Sequence, residues 1–223
     1  MNRTILMLLT ITIGHTTAAL SQVSSQPEQV RYRVTFNSTW SKTSHPKNFP
    51  RNPHFSGLVG VTHSPEVLLW KNDHFASRGL ELVAETGGKT VINQEIDQLI
   101  KRGSAQFKIS GAGIPNSPGK VAVNFNVTRT YSKVSLVSML APSPDWFVGV
   151  SGLELYKDNK WLTKKVIPLA VYDSGTDSGK RFVSGDQNTS PANLISRLTS
   201  SASDTDFKNG EKIIGTFTFE RIK

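Results

Sequence analysis

Apolar and polar side chains alternate along much of the chain. Val30, Tyr32, Val34 and Phe36 are interleaved with Arg31, Arg33 and Thr35, the two-residue period of a strand with one face buried. The same rhythm returns in Phe107 and Ile109, in Val121, Val123, Phe125 and Val127, in Val134 and Leu136, from Phe147 to Leu155, and from Ile213 to Ile222, where Phe217 and Phe219 share a side. Clusters of Gly, Pro, Ser and Asn separate these runs, as turns between strands require. Val67-Leu68-Leu69-Trp70 is a further candidate strand.

Two segments change to a helical period. Ala76 to Glu85 stops at Gly87-Gly88, and Val91 to Arg102 carries Lys101 and Arg102 in its last turn with Gly103 just beyond, an arrangement that helix C-termini favour. Between Asn37 and Pro53, the prolines at 46, 50 and 53 predict an ordered loop, pinned by Trp40 and Phe49. The whole predicts an all-β fold, an antiparallel β-sandwich with short helical insertions. The 223 residues, 37% of them hydrophobic, suffice for one core and predict one domain, residues 30–223.

The start of the chain reads differently. Arg3, the short apolar run Ile5 to Ile13 and the small residues Thr17-Ala18-Ala19 predict a secretory signal peptide over residues 1–19, too short to span a bilayer. No later run reaches membrane-spanning length. A polar, flexible lead-in is expected over residues 20–29. Export makes the three sequons at Asn37, Asn126 and Asn188 candidate glycosylation sites. The chain has no cysteine, so its stability must come from the core and not from disulfides.

The formal charge is +9, or +8 once Arg3 leaves with the leader. Arg31, Arg33, Lys42, Lys47 and Arg51 form one stretch without an acid, and Lys101, Arg102, Lys108, Lys120, Arg129 and Lys133 form another. Such a field attracts polyanions, sulfated or microbial glycans outside the cell, with nucleic acid not expected there. The plainer reading is a set of solvated strand faces.

Asp145 ends the second stretch. It lies in the loop Pro142-Ser143-Pro144-Asp145-Trp146, and Asp173 and Asp177 lie in Asp173-Ser174-Gly175-Thr176-Asp177-Ser178-Gly179. Carboxylates in tight loops that also expose backbone carbonyls suit Ca2+, a hard cation that takes oxygen ligands. A sandwich gathers its loops at two ends, so carboxylates from different loops can meet there. The alternative is that these aspartates only form turns. Trp146 is expected to buttress the loop.

Enzymatic motifs are weak. Thr176-Asp177-Ser178-Gly179 is superficially like a serine-protease nucleophile loop, but Lys180 follows. Gly113 to Lys120 has the wrong spacing for a phosphate loop, and Val121 replaces the hydroxyl residue. His45, His54 and His63 are not at structural zinc spacing and read as structural histidines. No enzyme is expected.

A series of ordered blocks carries a family resemblance. Tyr32-x-Val34-x-Phe36, Trp40-Ser41, His45-Pro46, Phe49-Pro50, His54-Phe55-Ser56, Gly60-x-x-His63-Ser64, Leu69-Trp70, Ala76-Ser77-x-Gly79, Ala84-Glu85, Ser138-Met139, the two aspartate loops and Phe219-Glu220-Arg221-Ile222 resemble the spondin domain family of F-spondin and mindin. That resemblance implies a secreted calcium-binding β-sandwich similar to a C2 domain, acting in the extracellular matrix in cell adhesion or, alternatively, as a pattern-recognition module for glycans. Its calcium-binding aspartates correspond to Asp145, Asp173 and Asp177. Expected partners are a matrix polymer or a cell-surface receptor of integrin type. Tyr156 stands where members usually carry a cysteine. Most members continue into thrombospondin type 1 repeats, whose functions do not transfer to this chain.

Overall fold

The computed structural model describes residues 28–201, 203–207 and 212–223. The signal peptide expected over residues 1–19, and the lead-in except for its last two residues, lie outside the described residues. Gln29, expected in that lead-in, already pairs with Thr128.

In chain order the elements are β1 (Gln29–Ser38), β2 (His54–Phe55), β3 (Val59–His63), α1 (Arg78–Thr86), α2 (Thr90–Lys101), β4 (Ala105–Ser110), β5 (Gly119–Thr128), β6 (Lys133–Ala141), β7 (Trp146–Glu154), β8 (Tyr156–Lys157), β9 (Lys160–Trp161), β10 (Lys164–Pro168), β11 (Tyr172–Asp173), β12 (Ser196–Arg197) and β13 (Gly215–Arg221). The strands form two main antiparallel sheets and a separate two-stranded one, β8-β9. Sheet one runs β10-β13-β1-β5, and sheet two runs β12-β11-β7-β6-β3-β4, with β2 paired to β6.

β1 shows how sequence sets the layers. Its Val30, Tyr32, Val34 and Phe36 are buried, while Arg31, Arg33 and Asn37 face solvent. The inward set meets Phe125 and Val127 of β5, Phe217 and Phe219 of β13, and, from sheet two, Val134, Leu136 and Val148. Phe36 packs edge-on against Phe55 and Phe217 at 4.7 and 5.0 Å, the offset geometry that aromatic rings prefer.

Sheet two is covered on its other side as well. Leu80, Val83 and Ala84 of α1 and Ile92 and Ile96 of α2 pack on Val59, Val61, Val137 and Phe147. β3 and β6 are therefore buried on both faces, which erases the alternation of a half-exposed strand. The helices are held at their ends. Ser77 Oγ accepts from Leu80 N, and Gly87 adopts φ +70° at the C-cap, the left-handed position glycine fills without strain. Glu95 of α2 accepts from Gly79 N and Ser77 Oγ, both at 2.7 Å, so one helix caps the start of the other.

Val67–Trp70, a candidate strand, is irregular. The indole of Trp70 donates to Val150 O and its carbonyl accepts from Ser151 Oγ, so side-chain anchoring replaces a ladder. The loop from Asn37 to Pro53 is pinned as expected, with Trp40 fully buried and 5.1 Å from Phe49. His45 and His63 are buried; His63 Nε2 meets Ser135 Oγ and its Nδ1 meets Ser64 O.

Candidate functional site

A very short ladder brings Asp145 beside the loop that carries Asp173 and Asp177. β11 pairs with the start of β7, Asp173 opposite Trp146 and Tyr172 opposite Phe147. Asp145, one residue before β7, is thereby set beside the loop that follows β11, and Ser174 N donates to its carbonyl at 3.1 Å.

Asp145 is fully buried and organises that loop. Its Oδ2 accepts from Ser174 Oγ at 2.9 Å, Thr176 N at 2.8 Å, Asp177 N at 3.1 Å and Thr176 Oγ1 at 3.3 Å. Its Oδ1 is buried and has no partner. Asp173 Oδ1 accepts from Gly175 N at 2.8 Å, and Asp177 accepts from Gly179 N at 2.6 Å and Gln187 N at 2.9 Å. These are Asx-type turns, so part of the turn-forming role is present.

Glycine is required at Gly175 for two reasons. Its φ is +79°, and a Cβ there would lie 2.3 Å from Asn193 O. The segment from Gln187 to Asn193 straps the loop, with Ser178 N donating to Gln187 O, Thr189 N to Thr176 O and Asn193 N to Gly175 O. Behind it stands an aromatic wall. Trp146, fully buried, packs on Phe182 at 5.3 Å and Phe207 at 6.5 Å, and Phe207 lies 5.2 Å from His45.

The charge at this end of the sandwich is uncompensated. Burial, with the Asp177 charge adding to it, pushes the Asp145 carboxyl up. Burial, then the charges of Asp145 and Asp177, pushes Asp173 up to about 7, opposed by the Gly175 amide and the nearby Trp146 indole. A fourth carboxylate, Glu85 near the end of α1, is named in the sequence within the Ala84-Glu85 block but not as a site residue. Burial raises its pKa, and the Glu81, Asp145 and Asp177 charges raise it further, while Thr176 lowers it. Its local sequence signal is an acid on the half-buried side of an amphipathic helix. Among the described residues no lysine or arginine forms an ion pair with any of the four.

Two small cavities flank Asp177. One of about 280 Å³ is shared with Asp173, Ser178 and Asn193, and another of about 240 Å³ is bordered by Glu85, Ser143 and Asp186. Among the described residues no three His, Cys, Asp or Glu side chains form a ready cage for an ion. The donor set nevertheless suits a hard cation: Asp145 Oδ1 is orphaned, and Asp173 and Asp177 retain lone pairs beyond those their turns use.

The other predicted positions are dispersed. Asn37 and Asn188 are exposed and Asn126 is half-buried. The two basic stretches do not merge. Arg31, Arg33 and Lys120 lie on the outer side of sheet one, whereas Lys101 and Arg102 end α2 on the far side of sheet two, and Lys108 is paired with Asp97 at 2.8 Å. Among the described residues no helix is long and apolar enough to cross a membrane.

Comparison with known proteins supplies a separate line of evidence. The family model Spondin_N matches residues 30–209. The chain is 35% identical to Spondin-2 of Homo sapiens over 178 residues, covering 77% of this chain and 53% of the relative. It is 33% identical to Spondin-2 of Rattus norvegicus over 202 residues, covering 89% and 61%. Against Spondin-1 of Gallus gallus it is 38% identical over 176 residues, covering 76% of this chain but 22% of the relative.

Proposed function

We propose, for a chain that belongs to the spondin family and so to the secreted proteins of the extracellular matrix, a calcium-dependent adhesion module whose ion is held by Asp145, Asp173 and Asp177. The observation that carries this reading is the orphaned Oδ1 of a fully buried Asp145 beside two further carboxylates, with no lysine or arginine paired to them among the described residues. An isolated buried charge is costly, and a divalent cation would remove that cost. When bound, calcium supplies positive charge and ties the three carboxylates to one point.

The chain's own residues do the rest. Asp145 fixes the backbone of residues 174–177, Gly175 lets the loop approach the strap at Asn193, and Trp146 closes the site from below. A loop ordered in this way presents a fixed surface to a matrix polymer or to a cell-surface receptor of integrin type. Glu85 flanks the same end and adds negative charge to it. A second reading, recognition of sulfated or microbial glycans, would rest on Arg31, Arg33 and Lys120 of sheet one, and its binding would weaken as salt rises.

Calcium titration by calorimetry, with thermal unfolding, tests the reading on the full chain and on the Asp173→Ala, Asp177→Ala double variant. Binding and a higher melting temperature in the wild type alone are expected. At a hundredfold excess over Kd the ion should stabilise by about 2.7 kcal/mol. Absence of binding, or an equal shift in the double variant, would mean that the aspartates only form turns.

A further inference from the structure

A cleft of about 490 Å³ opens where β10, the edge of sheet one, approaches β7, β11 and β12 of sheet two. Its size lies in the range of about 300–1,000 Å³ typical of small-molecule sites. It does not share the residues of the aspartate site, although Tyr172 of its wall precedes Asp173.

The lining has two chemistries. Trp70, Tyr172, Leu68 and Ile167 give an apolar floor and walls. Trp70 and Tyr172 hold each other edge-on at 4.9 Å, and Trp70 lies against the bare backbone of Gly149, where a Cβ would come within 3.1 Å of its Cζ2. This part is rigid. Leu68 is 44% exposed, an apolar side chain left in water at the cleft.

Lys71 and Arg197 are the charged residues of the lining, and no acid accompanies them. Both are exposed, and neither forms an ion pair or a side-chain hydrogen bond among the described residues. Other cations of this basic chain, Arg31 and Lys120 among them, also lack carboxylate partners among the described residues, so what marks the cleft is two such cations beside an apolar floor. Two free cations beside an apolar floor are complementary to one anionic group on an apolar body.

We propose that this cleft binds a small amphiphilic carboxylate, with its apolar body against Trp70, Tyr172 and Ile167 and its anionic head between Lys71 and Arg197. Binding needs no calcium, so this site and the adhesion reading stand or fall separately.

The test is calorimetric titration of the full chain, in chelator, with octanoate and with indole-3-acetate, which separate an acyl from a ring-shaped body, and with octanol and octylamine as neutral and cationic controls. One carboxylate should bind saturably at one site per chain, at least tenfold more tightly than octanol, with octylamine weaker still. Lys71→Gln combined with Arg197→Gln should weaken it at least tenfold at an unchanged melting temperature, because both side chains are solvent-exposed. Leu68→Asp, which sets a carboxylate in the apolar lining, should weaken it as well. No saturable binding by either carboxylate, binding no tighter than that of octanol, or a double variant that binds like the wild type would each overturn the proposal.

Discussion

Replacing His45 should remove a defined part of the protein's acid sensitivity. The side chain is 2% exposed. Its Nδ1 meets Ser44 Oγ at 2.9 Å, its Nε2 is buried without a partner, and its ring packs on Phe207. Burial first, and the Lys212 charge second, lower its pKa from 6.5 to about 4, against an opposing pull from Asp206. A base whose folded pKa is depressed binds fewer protons folded than unfolded. Its contribution is therefore complete above pH 6.5 and is lost as pH falls toward 4. At about 1.4 kcal/mol for each pH unit, the interval from 6.5 to about 4 corresponds to about 3 kcal/mol. Urea unfolding at a series of pH values, on the wild type and on His45→Asn, isolates this contribution as the difference between the two curves. The variant should start lower at pH 7, by about 1–3 kcal/mol for lost packing, and the gap should close by about 3 kcal/mol at pH 4. Parallel curves would refute the reasoning, because they would mean that His45 charges in the folded state as easily as in the unfolded one. The consequence reaches the aspartate loop, since Phe207 belongs to the wall behind Trp146.

The remaining predictions concern neighbouring parts of the same fold. In chelator, Asp173 has the opposite sign to His45: its carboxyl, pushed up to about 7 by burial and by Asp145, binds more protons folded than unfolded. Stability should then fall by at most about 4 kcal/mol as pH rises from about 4 to 7; Asp173→Asn should flatten that fall, and an unchanged slope in denaturant titrations would count against the charge arrangement. Gly60→Ala should cost about 3 kcal/mol or more, because the new Cβ would sit 2.1 Å from Ser135 O and 2.9 Å from Leu136 Cα; urea unfolding measures it. Glu95→Ala should cost about 1–2 kcal/mol and speed amide exchange in the first turn of α1, where Gly79 N and Ser77 Oγ lose their acceptor.

Half-exposed elements could be read from the sequence. β1 and β13 have one wet and one dry face, and their alternation is preserved in Val30, Tyr32, Val34 and Phe36 and in Phe217 and Phe219. The helices were legible to within two residues at their starts and one at their ends, which Gly87 and Gly103 mark at positive φ. β3 escaped for a physical reason: Val59-Gly60-Val61-Thr62-His63 is buried throughout, so no alternation marks it. The two-residue strands β11 and β12 exist only because tertiary packing brings β11 to β7 and β12 to β11. Convergence of Asp145 with Asp173 follows from that ladder and from nothing local. The composition of the aspartate loops was visible in the sequence, whereas the approach of Glu85 depended on where α1 packs. The Leu68-Leu69-Trp70 run had the hydrophobicity of a strand, but its bonds go to β7 through side chains.

Sheet one also governs how the molecule forms. β1, an interior strand of that sheet, is its first element in sequence, and the neighbouring β13 is its last, with Val34 opposite Phe219. Pairings between such distant positions require the intervening chain to close a long loop before any contact rewards it, and topologies rich in them fold slowly. During synthesis β1 waits for nearly the whole domain with one edge open, and open edges recruit foreign strands. A truncation that removes β13 would leave β1 with that edge open, an aggregation-prone chain in place of a smaller domain. Tyr32 lies opposite Arg221, so segments joined before β1 and after β13 would leave the finished fold side by side.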